Sequence, residues 1–351
     1  MNRTLARGTG MSICGLAGLW LVKRAFRTSL PTFAGQTVVI TGGARGLGLE
    51  MARLWASEGA RVGICSRSGD DVRAAVDELK RFGGEAIGMV CDVTDQQQVK
   101  AFIAGVCERW GAVDVLVNNA GIIQAGPTEC MTIDDYRRMM ETHFWGPLYA
   151  IEAVLPLMRR RRRGRIVNIS SIGGKISVPH LVPYCASKFA LAGLSAGLRS
   201  ELHRYGISVT TVCPGVMRTG SPRNAEFKGN HRAEYTWFSI ASSLPMLSTN
   251  SQLAARRIVE ACRRGTAELS TSIPVDFAMR GHAIFGGISQ AILQIMNRLL
   301  PAPAYGDFST RKGWQSFSRW SPSWVTTLNE RAAARNHELL STSNGNPRHN
   351  G

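Results

Sequence analysis

From Gln36 onward the chain alternates between two hydrophobic patterns. Short runs rich in β-branched residues are each followed by a longer stretch with apolar residues three or four positions apart. Thr37–Thr41 (TVVIT) opens the series, and Arg61–Cys65, Ala86–Cys91, Val113–Asn118, Arg165–Ile169 (RIVNI) and Ile207–Cys213 continue it. Runs this short and apolar on both faces suit strands buried in a parallel sheet. Leu47–Glu58, Asp70–Phe82, Asp95–Arg109, about Asp134 to Met158, and Val182–Arg204 read as helices; in the second, Val72, Ala75, Val76 and Leu79 share one face. Strands alternating with helices on short loops predict an α/β chain built on a doubly wound parallel sheet.

That arrangement is the Rossmann fold, expected here as a single domain with a C-terminal extension. After Pro214 the regularity fades. Residues 216–250 are rich in Ser, Asn, Gly and aromatics and read as a substrate loop. Ser251–Arg264 returns as a helix, with Ser251 as its expected cap and Gly265 just past its end. Ala267–Ser270 reads as a last short strand. Residues 277–300 are apolar but interrupted by Arg280, His282, Gly286, Gly287, Gln290 and Gln294, and Pro301 stops them. The expected partition is a basic and apolar segment over 1–33, the Rossmann domain over 34–270, an extension over 271–340 and a disordered tail over 341–351.

Charge adds a second line of argument. Lys and Arg total 42 against 25 Asp and Glu, a net +17. Such a balance attracts nucleic acid, anionic lipid or phosphorylated cofactors without choosing among them. Arg159–Arg163, with Arg165, would serve either as a polyanion contact or as a solvated rim. No nucleic-acid signature accompanies it, so no specific nucleic-acid partner is expected. Met11–Val22 is apolar, with Arg3 and Arg7 before it and Lys23, Arg24 and Arg27 behind, and no acidic residue precedes Glu50. It is shorter than the roughly 18 residues of a spanning helix and lacks a cleavage site. A membrane-surface anchor and a tail or helix packed on the body both stay open for it. The eight cysteines are scattered, with no C-x-x-C pair and no nearby His cluster. No metal site or disulfide framework is expected, and a reducing, cytoplasmic setting fits, with membrane contact through the N-terminal segment only under the anchor reading.

The turn after the first run reads Thr41-Gly42-Gly43-Ala44-Arg45-Gly46-Leu47-Gly48. Glycines here let the backbone approach a ligand closely, and a helix N-terminus beyond them favours an anion such as a dinucleotide diphosphate. Between a buried strand and a helix that reading is strong; an empty tight turn is the alternative. The second strand ends Ile64-Cys65-Ser66-Arg67, with no acid to hold a ribose 2′-hydroxyl. Arg67 offers a fork for a 2′-phosphate and Arg45 a second cation, so NADP(H) is expected over NAD(H); both arginines as plain surface is the bland reading.

Tyr184 and Lys188 lie four apart on a helix face, in Tyr184-Cys185-Ala186-Ser187-Lys188. A phenol titrates near pH 10, and a neighbouring ammonium is expected to lower it. The pair can then pass a proton to or from an oxygen while hydride moves at carbon. Ser171, just past the fifth strand, can hydrogen-bond the same oxygen.

With these residues assembled the chain resembles the short-chain dehydrogenase/reductase family, in the subgroup with TGxxxGxG and YxxxK motifs. The match runs from about Gly35 to Gly215 and more loosely to about residue 270. It takes in Thr41–Gly48, Asp92-Val93, Asn118-Asn119-Ala120-Gly121, Ser171, Tyr184 with Lys188, and Pro214-Gly215 with Thr219. The resemblance implies that Asp92 contacts adenine and that Asn119 steadies the central strand near the cofactor. It implies that Tyr184 is the general acid/base, that Lys188 also holds the nicotinamide ribose and that Ser171 positions the substrate carbonyl. Thr219 would sit near the carboxamide. It further implies a homo-oligomer, dimer or tetramer.

One position departs from the pattern. The family commonly places an Asn on the long helix after the fourth strand, in a water-linked proton relay; here Glu141-Thr142-His143-Phe144 puts His143 there. Imidazole can carry protons near neutrality, so a modified relay is one reading and a packed helix histidine the other. His180, His203 and His231 read as loop or surface residues. Met217, Phe227, Trp237, Phe238 and Met246 suit either a lid over a lipophilic ketone or alcohol (a steroid, retinoid or fatty chain) or plain loop packing. Residues 277–300 would lie on a membrane, cover the pocket or pack on the body. The leading expectation is reversible carbonyl/alcohol conversion with NADP(H). A non-catalytic nucleotide sensor or a basic scaffold on the same fold is the alternative.

Overall fold

The structure is a computed structural model that describes residues 32–244, 248–304 and 306–339. The 1–33 anchor (apart from its last two residues), Met246 and the 341–351 tail lie outside the described residues.

β1 (Thr37–Thr41), β2 (Arg61–Ser66), β3 (Ala86–Val90) and β4 (Val115–Asn118) form half of a seven-stranded sheet, joined by α1 (Gly46–Ser57), α2 (Gly69–Arg81) and α3 (Gln96–Trp110). β5 (Gln124–Ala125) lies outside the main sheet. The long helix after it runs as α4 (Ile133–Met140), a π-helical turn (Glu141–Trp145) and α5 (Gly146–Arg161). β6 (Gly164–Ile169), α6 (Val182–Leu202) and β7 (Ile207–Cys213) follow. Every neighbouring pair in the main sheet is parallel. The strand order is β11-β7-β6-β4-β1-β2-β3, with β11 at Glu268–Ser270. The chain leaves β1 toward β2 and later returns to its other side at β4. That reversal is the point where an open α/β sheet binds ligands.

Side-chain alternation along β1 divides the core. Val38 and Ile40 pack with Leu49, Trp55 and Leu79 on one face, and Val39 with Phe102, Leu116 and Ile151 on the other. Local caps set the helix starts: Ser68 accepts from the Asp71 N–H, and Asp95 from the Gln97 and Gln98 N–H groups.

Past Pro214 the chain is more ordered than its composition predicts. β8 (Val216–Arg218), β9 (Glu226–Phe227), α7 (His231–Ser243) and β10 (Ser248–Asn250) occupy the segment expected as a loop. The Asn230 side chain caps α7 by accepting from the Ala233 N–H. α8 (Ser251–Arg264) is capped one residue earlier than expected: Asn250, not Ser251, accepts from the Gln252 and Leu253 N–H groups. The interrupted apolar stretch forms two helices, α9 (Ile273–Ile284) and α10 (Gly286–Asn297). β12 (Arg311–Lys312) pairs with β9, and α11 (Thr327–Arg335) ends the described fold. Arg159–Arg161 form the last turn of α5, and Arg162 and Arg163 make the short connection to β6. Arg161 and Arg163 reach Asp114 at 2.7 and 3.7 Å, and Arg162 donates to the Arg204 carbonyl.

Candidate functional site

A cleft of about 370 Å³ opens at the C-terminal ends of the strands. Nearly all the residues picked out from the motifs meet there. At one end, Gly42, Arg45, Gly46, Leu47 and Arg67 line it. Gly42 and Gly46 take φ of +64° and +59°, where a side chain would be strained. A Cβ on Gly42 would come within 2.8 Å of the Ala120 Cα, and one on Gly48 within 2.6 Å of the Asn119 amide. Thr41 and Gly48 support the turn from behind and do not reach the cleft. The Thr41 hydroxyl accepts from the N–H groups of Asn119 and Ala120, both at 3.1 Å. The Asn119 side chain donates to the Thr41 and Gly42 carbonyls at 3.1 and 3.0 Å. Asn119 therefore ties the end of β4 to the glycine turn, and Ala120 and Gly121 continue the wall. Asp92 and Val93 line the same side, where the Asp92 carboxylate accepts from the Thr94 N–H and hydroxyl.

At the other end lie Ser171, Tyr184 and Lys188. The Ser171 oxygen accepts from the Gly173 N–H at 3.0 Å and bonds the Tyr184 phenol. Burial pushes that phenol up to about 12, against the lowering pull of Ser171. Lys188 is 4% exposed and donates to the Ile169 carbonyl at 2.9 Å. Burial pushes its ammonium down to about 7. The expected depression of the phenol by the ammonium is thus not what the site shows. Desolvation by burial is the largest cause at both members. Pro214, Gly215 and Thr219 also line the cleft.

His143 sits in the π-helical turn, fully buried, with its ring edge-on to Tyr184 at 5.4 Å between centroids. Its Nε2 accepts from the Ile122 N–H at 3.1 Å, which leaves Nδ1 to donate to the Ser187 hydroxyl at 2.7 Å. Burial first, and then Lys188, hold the ring well below its usual pKa. Both nitrogens are committed within the fold and the ring is neutral. Of the two readings left open for His143, this geometry is the one of a histidine packed and bonded within the helix.

Two features of the roof escape the sequence. His180 is buried, not a surface residue: its Nδ1 meets Glu234 at 2.7 Å, and the other oxygen of Glu234 accepts from the Trp237 indole. This chain ties the loop before α6 to α7, whose Trp237 and Phe238 line the cleft. Phe227 does not line it; it packs beneath, against Tyr235 and Phe238. Next to Phe227, Lys228 bonds Asp135 at 2.6 Å. Burial would raise the Asp135 carboxyl, yet Lys228, Thr132 and Gln124 hold it at about 2. The second feature is Glu338, which enters the cleft from the C-terminal segment. No periodicity marks either feature; only a polar residue beside apolar ones, as in Glu234-Tyr235, hints at burial.

A family model for short chain dehydrogenases matches residues 36–228. The chain belongs to that family. As a short-chain dehydrogenase it is an oxidoreductase. It is 36% identical over 233 residues to dehydrogenase/reductase SDR family member 7B of Danio rerio, covering 64% of this chain and 75% of that one. Among solved structures, a short-chain dehydrogenase from Streptomyces avermitilis superposes with a TM-score of 0.65 at 29% identity, over 75% of this chain and 97% of that one. An actinorhodin polyketide ketoreductase solved with NADPH gives 0.60 at 34% identity, over 67% and 95% of the two chains.

Proposed function

We propose that this short-chain dehydrogenase interconverts a carbonyl and an alcohol on a lipophilic substrate, using NADP(H) in preference to NAD(H). The observation that carries the reading is one cleft with two chemically different ends. The glycine turn with Arg45 and Arg67 lies at one end, and Ser171, Tyr184 and Lys188 lie at the other. The residues fit the cofactor: the turn has the cradle that a Cβ would fill, with two cations beside it for a 2′-phosphate. When bound, NADP(H) supplies or takes up a hydride. The ketoreductase solved with NADPH supports the same choice.

The chain's own part is to hold the oxygen and move its proton. The Ser171 hydroxyl, which bonds the Tyr184 phenol, is placed to turn its hydrogen to a carbonyl oxygen that enters between the two. Tyr184, kept as a neutral phenol by burial, donates its proton to that oxygen as negative charge grows on it. Lys188 is fixed to the Ile169 carbonyl beside the Tyr184 ring. His143 packs edge-on with that ring and bonds Ser187, whose hydroxyl donates to the Tyr184 carbonyl. Ile122, Leu181, Met217, Trp237 and Phe238 give this end an apolar wall, which favours a lipophilic ketone.

Fluorescence titration with NADPH and NADH tests the cofactor. Tighter NADPH binding that falls about tenfold or more in Arg67→Ala, with NADH unchanged, supports it. Equal binding of both nucleotides would remove the preference. Binding of neither by a folded sample would remove the enzyme reading for this site.

The substrate class fits a contact with anionic lipid through α9 and α10. No α10 side chain is buried, and Ile284, Ile288, Ile292, Ile295 and Leu299 are each more than half exposed. The one acid of the pair, Asp276, is neutralised by Arg280 at 2.7 Å, and the chain carries +17 overall. No described helix is long and apolar enough to cross a membrane, so contact would be at the surface. Flotation with phosphatidylserine vesicles should carry the protein, and Ile288→Asp with Ile292→Asp should abolish it. Flotation that survives the double substitution would refute the contact. So would a dimer that the same substitution dissociates, since a second copy would then own the face.

A further inference from the structure

The C-terminal segment after α11 ends against the glycine turn, on the side where a dinucleotide diphosphate would bind. The Gly46 N–H, a donor of the first turn of α1, is taken by the Asn336 carbonyl at 2.9 Å. Two residues on, the Glu338 carboxylate stands over the same glycine. A Cβ on Gly46 would lie 2.7 Å from one of its oxygens, while Asn224 donates to the other at 2.5 Å. The Arg45 guanidinium is 3.9 Å from that second oxygen. The side chain is only 6% exposed.

We propose that residues 336–338 are a built-in competitor for the dinucleotide, with Glu338 standing in for its diphosphate, and that they must leave before the cofactor can bind. This rests on the reading of the turn as a nucleotide site. The chemistry matches. A helix N-terminus and an arginine attract an anion, and the carboxylate supplies one from the chain itself. The two anions exclude each other. They need the same Gly46 N–H and the same space, and a buried carboxylate repels a diphosphate beside it.

The segment is held by contacts separate from the turn. The Asn336 amide reaches the Thr219 carbonyl at 3.2 Å and the Ser251 hydroxyl at 3.3 Å. Asn329 accepts from the Gly220 N–H at 3.0 Å, and Arg335 bonds Glu50 at 3.2 Å. The Asn336 ties break when the segment leaves, but those of Asn329 and Arg335 lie outside 336–338 and keep it close, so opening is an intramolecular equilibrium that lowers apparent affinity by the fraction open. A latch closed nine times in ten, or ninety-nine in a hundred, weakens binding by about 10- to 100-fold. Both dinucleotides bear that factor equally, because both bring the diphosphate.

The test titrates the full-length protein and Glu338→Gln with NADPH and NADH, with limited proteolysis across 327–339 as a readout that needs no turnover. Asn224→Ala, which removes the carboxylate's partner from the opposite wall, serves as the second variant should Glu338→Gln not fold. Expected is tightening of both nucleotides by the same factor, about tenfold or more, and faster cleavage of the segment once NADPH is added. Unchanged affinities in a folded variant overturn the proposal. So does tighter NADPH with weaker NADH, the mark of a ribose-holding wall, or protection of the segment by NADPH, the mark of a lid. If wild type and variants alike bind neither dinucleotide, the cofactor reading fails first and the latch falls with it.

Discussion

The floor and the roof of the cleft hold their polar groups by different means. On the floor, side chains are tied to backbone: Asn119 to the Thr41 and Gly42 carbonyls, Lys188 to Ile169, Ser171 to the Gly173 N–H. In the roof they are tied to one another: His180 to Glu234, Lys228 to Asp135, Lys312 to Glu226. A group anchored to a sheet's backbone moves only if the sheet moves. A pair of side chains can part while the backbone stays in place. The floor therefore suits the reacting atoms, and the roof suits a surface that must admit substrates and let them go.

Four experiments bear on this contrast. Tyr184→Phe removes the floor's proton donor. Carbonyl reduction should fall about 10²- to 10⁴-fold with NADPH affinity retained, as read by steady-state kinetics and titration. Activity within a few-fold of wild type would take Tyr184 out of the chemistry. The pH profile sharpens the same point. With the phenol at about 12 and Lys188 already deprotonated above about 7, the protonated donor is present and its neighbour unchanging from about pH 8 to about pH 10, and reduction should be flat there. Oxidation needs the phenolate and should climb up to about tenfold per pH unit over the same span. A flat oxidation profile would contradict the assigned proton carrier.

Glu234→Ala strikes the roof. It leaves buried His180 and the Trp237 indole without their acceptor and should cost about 1–3 kcal/mol by denaturant melting. KM should rise for a bulky ketone while kcat changes little; a fall in kcat alone would erase the distinction between floor and roof. Asp135 supplies the smallest effect. Its native pKa of about 2 lies below the unfolded value of 3.8, so its stabilisation is complete above pH 3.8. It is lost as pH drops toward 2, by about 2 kcal/mol at most. Hydrogen exchange should show β5 and the start of α4 loosening in that window before β1 and β4 do. Simultaneous loosening would show that the two regions open as one unit.

The floor was legible because its chemistry is local. TVVIT declares a buried strand, the glycines of 42–48 declare a close backbone approach, and Tyr184 and Lys188 share a face by their spacing alone. The roof was not, for two reasons. Its helix α7 is HRAEYTWFSIASS, whose Ser and Thr hydroxyls bond backbone carbonyls a turn earlier and hide a helix behind loop-like composition. Its side-chain pairs also join residues far apart in sequence, 54 positions for His180 and Glu234 and 93 for Lys228 and Asp135. No period links such partners, and only the fold brings them together. His143 lies between the two cases. Its place on the helix was readable, but the commitment of both its nitrogens depends on Ile122 and Ser187, which reach it from other elements.

The return of the chain's end to its beginning has a consequence for the protein's manufacture. Glu50 and Arg335, which bond beside the glycine turn, are 285 positions apart. A ribosome adds about 5–20 residues per second, and N-terminal parts fold first. The central strands and their turn are therefore out and able to assemble well before residues 336–338 exist. For some seconds in the life of every copy, the young protein presents that turn uncovered. If residues 336–338 are the latch proposed above, a dinucleotide in the surrounding fluid would meet the turn before they do.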